Sequence, residues 1–141
     1  VNIEVAPNDY FVAFRHRNHL GFMSQNTVAL SSTISTLNTT NNSIALYGSE
    51  PLTNISGTMC MWAGNAVLDA ELKYTGANND RDRILTVIGG TTPTGTLFGY
   101  ESEDITLDGI LKDTGVDNDR DPILVNIGGT TPTGVRTEQL P

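Results

Sequence analysis

An internal repeat constrains this chain more than any other feature. Residues 72–95 read LKYTGANNDRDRILTVIGGTTPTG and residues 111–134 read LKDTGVDNDRDPILVNIGGTTPTG, identical at 18 of 24 positions without a gap. The offset is 39 residues, so Leu72 answers to Leu111, Asp80 to Asp119 and Gly90 to Gly129. Self-similarity at such a period marks a duplicated supersecondary unit.

Carried upstream at the same offset, the alignment sets Asn65, Val67, Asp69 and Ala70 opposite Asp104, Thr106, Asp108 and Gly109. The second copy therefore begins D-I-T-L-D-G-I. Oxygen-bearing side chains at alternating positions, followed by a glycine where the chain must turn, make the opening of an EF-hand-type calcium loop. Such a loop aims three side chains at one point, while its seventh residue, here Ile110, offers a carbonyl. An ordinary loop of this type closes on a carboxylate at position 12, but that position is Gly115. The loop is expected to carry an insertion and to close on Asp119. The expected calcium ligands are Asp104, Thr106, Asp108, Ile110 and Asp119 in the second repeat. Asn65, Asp69, Glu71 (by its carbonyl) and Asp80 are the weaker set in the first, where Val67 supplies no oxygen and Ala70 replaces the glycine.

After each loop the pattern predicts a helix. Asn118 suits an N-cap, Pro122 is tolerated near a helix start, and Ile123, Leu124 and Ile127 recur with helical spacing before Gly128-Gly129. Asn79, Asp80, Ile84, Leu85, Ile88 and Gly89-Gly90 do the same in the first copy. The β-branched runs ILTVI and ILVNI could also be buried strands, but caps and glycines at both ends favour helix.

Charge follows the repeat. Residues 1–64 hold three acids and two bases, net −1, whereas residues 65–141 hold thirteen acids and six bases, which accounts for −7 of the total −8. So acidic a half speaks against nucleic acid, whose phosphates need a basic surface. No apolar run reaches the roughly 18 residues of a membrane span, so no membrane insertion is expected. Cys60 is the single cysteine and has no internal disulfide partner. The chain opens on Val1 without a signal-peptide pattern, which reads as a processed piece of something longer.

Residues 1–61 read as β. Tyr10 to Arg17 alternates without a cleanly polar face, His19 to Ser24 follows an Arg17-Asn18 turn, and 26–30 and 43–47 are further strand candidates. Residues 31–42, rich in Ser, Thr and Asn, read as an exposed edge or a loop. A few strands with open edges are marginal alone and invite pairing with another copy. Arg15, His16, Arg17 and His19 form a basic cluster without a carboxylate or thiol at metal spacing. Turn hydrogen bonds or a salt bridge to the acidic half are expected of it, with the two histidines on opposite sides of a strand. Trp62, with Met59 and Met61, reads as core, or less readily as a sugar-stacking platform.

The segments MWAGNAVLDAELKYTGANNDRDRILTVIGGTTPTG and EDITLDGILKDTGVDNDRDPILVNIGGTTPTG, the ending RTEQLP, and the upstream YFVAFRHRNHLGFMSQNTVALS resemble the C-terminal regions of large secreted, adhesin-like proteins of Bacteroidota, often labelled haemagglutinins. The likeness runs from about Ala6 to Pro141. The paired loops also resemble dockerin modules, although the inserted Lys-Tyr-Thr-Gly segment lies where dockerins contact their partners. The resemblance implies an α+β chain. An Ig-like β-sandwich portion (1–61) would precede two dockerin-like loop–helix repeats (62–100 and 101–141). It implies an extracellular, cell-surface module with Ca2+ as its cofactor, and partners among other surface proteins or other copies of itself. GxSxG, HExxH and Walker A patterns are all missing, so no enzymatic activity is expected.

Overall fold

The computed structural model describes residues 5–33 and 36–141. The chain is α+β, and its contacts divide it into two compact units.

The first unit comprises Val1–Arg15, Gly21–Met61 and Gln139–Pro141. Its described strands pair two by two. β1 (Asn8–Tyr10) runs antiparallel to β4 (Val28–Leu30), β2 (Ala13–Phe14) to β3 (Phe22–Met23), and β5 (Thr53–Ile55) to β6 (Thr58–Cys60). The register Phe14↔Phe22 stacks those two rings 4.8 Å apart. The strand expected from Tyr10 to Arg17 is broken: β1 ends at Tyr10, and Val12 turns to a different neighbour. Its N–H donates to Ser24 Oγ (3.0 Å) and its carbonyl accepts the Ser24 N–H (2.9 Å). The candidate strand 43–47 is reduced to a bridge, Leu46 to Ser24. Of the stretch 31–42, Ile34 and Ser35 lie outside the described residues, and the rest forms no strand. The β5–β6 connection is a two-residue turn with Ser56 and Gly57 both at positive φ, the conformation that matches hairpin twist. Phe22 and Leu52 are the buried apolar residues here; the described hydrophobic cluster belongs to the other unit.

The second unit comprises His16–Leu20 and Trp62–Glu138. Each repeat contributes a strand, a helix and a tail strand. These are β7 (Glu71–Lys73), α1 (Asp80–Val87) and β8 (Thr96–Phe98) in the first repeat. The second has β9 (Ile110–Lys112), α2 (Arg120–Asn126) and β10 (Val135–Thr137). The pairing is reciprocal. β8 of the first repeat joins β9 of the second, with Leu97 opposite Leu111, and β10 of the second joins β7 of the first, with Arg136 opposite Leu72. The two ribbons keep the same register. Thr75 donates to the Pro132 carbonyl (2.9 Å) and its counterpart Thr114 to the Pro93 carbonyl (2.8 Å). Each tail closes the other repeat.

Both helices begin and end as the capping residues dictate. Asn79 Oδ1 accepts the Asp82 N–H, and Asn118 Oδ1 accepts the Asp121 N–H, each at 2.9 Å. The assigned start of α2 falls one residue later than that of α1, an ordinary fluctuation in helix boundaries, while the cap is the same. At the other end Gly90 and Gly129 lie at φ 76° and 75° and donate to the carbonyls of Leu85 and Leu124 (2.8 Å each). Glycine is the residue that meets this left-handed geometry without strain.

Symmetry-related pairs build the core. Leu72 with Leu111 and Ile84 with Ile123 are wholly buried, joined by Leu20, Ala66, Ile105 and Ile127. Each such side chain is worth roughly 1.5–3 kcal/mol of burial. Gly64 permits the close approach: a Cβ there would stand 2.8 Å from Leu72 Cδ1 and 3.2 Å from Ile123 Cγ1. Leu20, contributed by a turn far upstream in the chain, is part of this core and not of the first unit.

Candidate functional site

In the second loop, residues 104–110, the backbone folds around Asp104. Its Oδ1 accepts the Asp108 N–H (3.2 Å) and its Oδ2 the Gly109 N–H (3.0 Å), so the chain wraps the carboxylate. Gly109 sits at φ 82° where this wrapping requires it. Leu107 is at φ 61°, as its counterpart Leu68 is at 63°. A bulky residue in the left-handed region is strained, and that strain recurs in both copies.

Asp119 closes the loop from the start of α2. Its Oδ1 accepts N–H groups from Ile105 (2.8 Å) and Thr106 (3.0 Å) and the Thr106 hydroxyl (3.1 Å), and its Oδ2 accepts the Lys112 N–H (2.8 Å). Asp104 and Asp119 are both essentially buried. They converge on the Thr106 hydroxyl, which also lies 3.4 Å from Asp104 Oδ1. The Asp108 Oδ1 accepts the Ile110 N–H (2.8 Å). Among the described residues no three Asp, Glu, His or Cys side chains close on one point. Of the five candidate ligands, then, Asp104, Thr106 and Asp119 are brought together, while Asp108 and Ile110 flank them in the turn. All the donors present are oxygens, the chemistry that suits a hard divalent cation.

Electrostatics reinforce that fit. Burial pushes the Asp119 carboxyl above its usual range, and the neighbouring Asp104 charge adds to the shift, against the opposing hydrogen bonds from Thr106 and Lys112. Two buried like charges favour a cation between them.

The first loop is built on the same plan, with neutral Asn65 in the place of Asp104. Asp80 Oδ1 accepts the Val67 N–H (3.0 Å) and Oδ2 the Lys73 N–H (2.8 Å), matching Asp119. Burial, chiefly, raises the Asp80 carboxyl to about 6, with Asp69 adding to the rise. Asn65 Oδ1 accepts the Asp69 N–H (3.0 Å), but its amide nitrogen donates to the Asp69 carbonyl (2.5 Å). Asp69 Oδ1 takes the Glu71 N–H (2.8 Å), and the Glu71 side chain pairs with Lys73 (2.8 Å). Asn65 thus brings an N–H donor to the position where Asp104 of the second loop has only oxygens.

The upstream turn His16–Leu20 packs onto both loops. Buried Asn18 receives the N–H groups of Gly64 (2.9 Å) and Asn65 (3.0 Å) on its carbonyl. Its side-chain amide donates to the carbonyls of Ser102 (3.0 Å) and Asp104 (2.6 Å). Arg17 Nη2 lies 3.3 Å from the Asp104 carbonyl and 3.7 Å from its Oδ2, with the guanidinium 4.2 Å above the Tyr100 ring. The expected salt bridge from the basic cluster to the acidic half is this one. The expectation that His16 and His19 face apart fails, because residues 16–19 form a turn (His19 N–H to His16 carbonyl, 2.9 Å) and the two Nδ1 atoms stand 3.1 Å apart. The sequence pattern of this turn pointed to hydrogen bonding but not to its partners.

Trp62 packs against the core, and Arg136 lies over its ring at 3.4 Å, so that face is covered. No described helix is long and apolar enough to cross a membrane. No family model, curated protein or solved structure matches this chain.

Proposed function

We propose that the chain is a non-catalytic extracellular module in which calcium orders the duplicated repeats, held at the second loop by oxygens of Asp104, Thr106, Asp108, Ile110 and Asp119. The observation that carries this reading is the convergence of two buried carboxylates, Asp104 and Asp119, on one hydroxyl. The Asp108 side chain and Ile110 carbonyl complete the shell by small rotations of the turn. The first loop is the weaker site, because neutral Asn65 stands where the second loop has the Asp104 carboxylate, and Val67 supplies no oxygen where it has Thr106. An ion bound to the folded chain alone stabilises it by mass action, and millimolar extracellular calcium would fill even a weak site.

The sequence resemblance supports the wider setting: a dockerin-like repeat pair after an Ig-like segment, at the C-terminal end of a cell-surface adhesin-like protein. The decisive experiment is calorimetry on chelator-treated chain. Calcium should bind with measurable heat and raise the melting temperature; absence of both overturns the reading.

One observation favours a second role, that of a surface-filament subunit. The reciprocal pairing of tail strands between repeats is a contact that two copies could equally make with each other. Regular fibres in negative-stain images, with chain length multiples in light scattering, would favour this role; monomers would exclude it.

A further inference from the structure

The His16–His19 pair is left unused by the calcium reading. The turn presenting it is rigid: Asn18 and Leu20, on either side of His19, are buried, the His19 N–H closes the turn on the His16 carbonyl, and the Leu20 N–H donates to the Trp62 carbonyl (2.9 Å). His16 is exposed and His19 half-buried, with the ring planes at 77° and the Nδ1 atoms 3.1 Å apart. Two nitrogens each about 2.0–2.1 Å from one metal ion are about 2.9 Å apart at a right angle and about 3.4 Å apart at the tetrahedral angle. The observed separation falls between those limits.

We propose that the Nδ1 atoms of His16 and His19 form a two-point chelate for a divalent transition-metal ion of the copper, nickel and zinc group, separate from the oxygen loops. Imidazole nitrogen selects such borderline ions over calcium, and copper(II) is the tightest of them. Arg17, which lies between the two histidines in sequence, is itself engaged by Asp104. Without metal, one Nδ1–H donates to the other Nδ1. On binding, that proton moves to the Nε2 of the same ring through solvent, so two neutral imidazoles face the ion with no net proton released. Water fills the remaining positions.

The test is a copper(II) titration of the full chain, first stripped by chelator and then saturated with calcium to occupy the acidic loops. One equivalent should bind, with an electron paramagnetic resonance signal split by two nitrogens. His16→Gln, at an exposed position, should weaken binding at least about tenfold and leave one nitrogen, the loss expected when a chelate becomes a single ligand. His19→Gln should do the same; if that variant melts early, His16→Gln decides. Failure to bind copper, an oxygen-only spectrum, or equal binding by His16→Gln would overturn the proposal. Calcium calorimetry is read separately, so either site can fail without the other.

Discussion

Asn18 holds Asp104 by the backbone: its buried side-chain amide donates to the Asp104 carbonyl at 2.6 Å. The same residue accepts N–H groups from Gly64 and Asn65. One residue from a distant turn therefore fixes the first residue of both loops, using its main chain for one and its side chain for the other.

Replacing Asn18 by its isostere should expose that role. Asn18→Asp turns two donors into acceptors facing the Ser102 and Asp104 carbonyls, and should cost about 3 kcal/mol or more. Asn18→Ala should cost about 2 kcal/mol, since it removes the donors without adding repulsion. Chemical denaturation of the three proteins measures both. Equal stability of Asn18→Asp and wild type would dismiss the keystone role.

Asp104 and Asp119 should separate metal binding from folding. Asp104→Ala and Asp108→Ala should abolish the rise in melting temperature on adding calcium. Asp119→Ala should weaken it and also destabilise the metal-free chain by about 3 kcal/mol, because N–H groups of Ile105, Thr106 and Lys112 lose their acceptor. Scanning calorimetry with and without calcium distinguishes the two effects. Hydrogen exchange across residues 104–124 should slow when the ion is added.

Arg17 places a positive charge beside the second loop. Arg17→Gln should tighten calcium binding by about tenfold, and Arg17→Lys should leave it nearly unchanged, as expected for a fixed charge a few ångströms from a divalent ion. Isothermal titration in low salt reads both. A loss of affinity in Arg17→Gln, with folding intact, would mean that the guanidinium organises the loop rather than opposing the ion.

Two groups should tilt stability with pH in opposite directions. His19 is lowered from 6.5 to about 4 by burial, so its contribution is present above 6.5 and is lost as pH falls toward 4. His19→Gln should therefore gain on wild type as the solution is acidified through that window. Asp80 is raised from 3.8 to about 6, so its contribution is fully present below 3.8 and is lost as pH climbs through 6. Asp80→Asn, which cannot titrate, should fall behind wild type as pH drops through 6. Thermal melts of the calcium-free proteins from pH 4 to 7 test both slopes.

The repeat, its helices, their asparagine caps and their closing glycines were legible because each rests on local chemistry: spacing of 3.6, a side-chain oxygen over free N–H groups, a residue without Cβ. The repeat alignment singled out Asp119, and its carboxylate accepts N–H groups of Ile105, Thr106 and Lys112. The exchange of tails was not, since Thr96–Phe98 and Val135–Thr137 are too short to carry alternation and their partners lie in the other copy. Nor was the insertion of His16–Leu20 beside the loops, a contact between residues remote in sequence. The Tyr10–Arg17 strand misled because apolar residues on both faces resemble a buried strand, whereas Val12 changes partner midway. With a turn in its place, His16 and His19 meet.

Because β10 is laid on β7, tension applied beyond Thr137 would load the first repeat through those ribbon hydrogen bonds before it could unwind α2. The ribbon acts as a mechanical shunt between two halves that share one stability. Neither half can come undone alone, so the pair should yield to force as a single step.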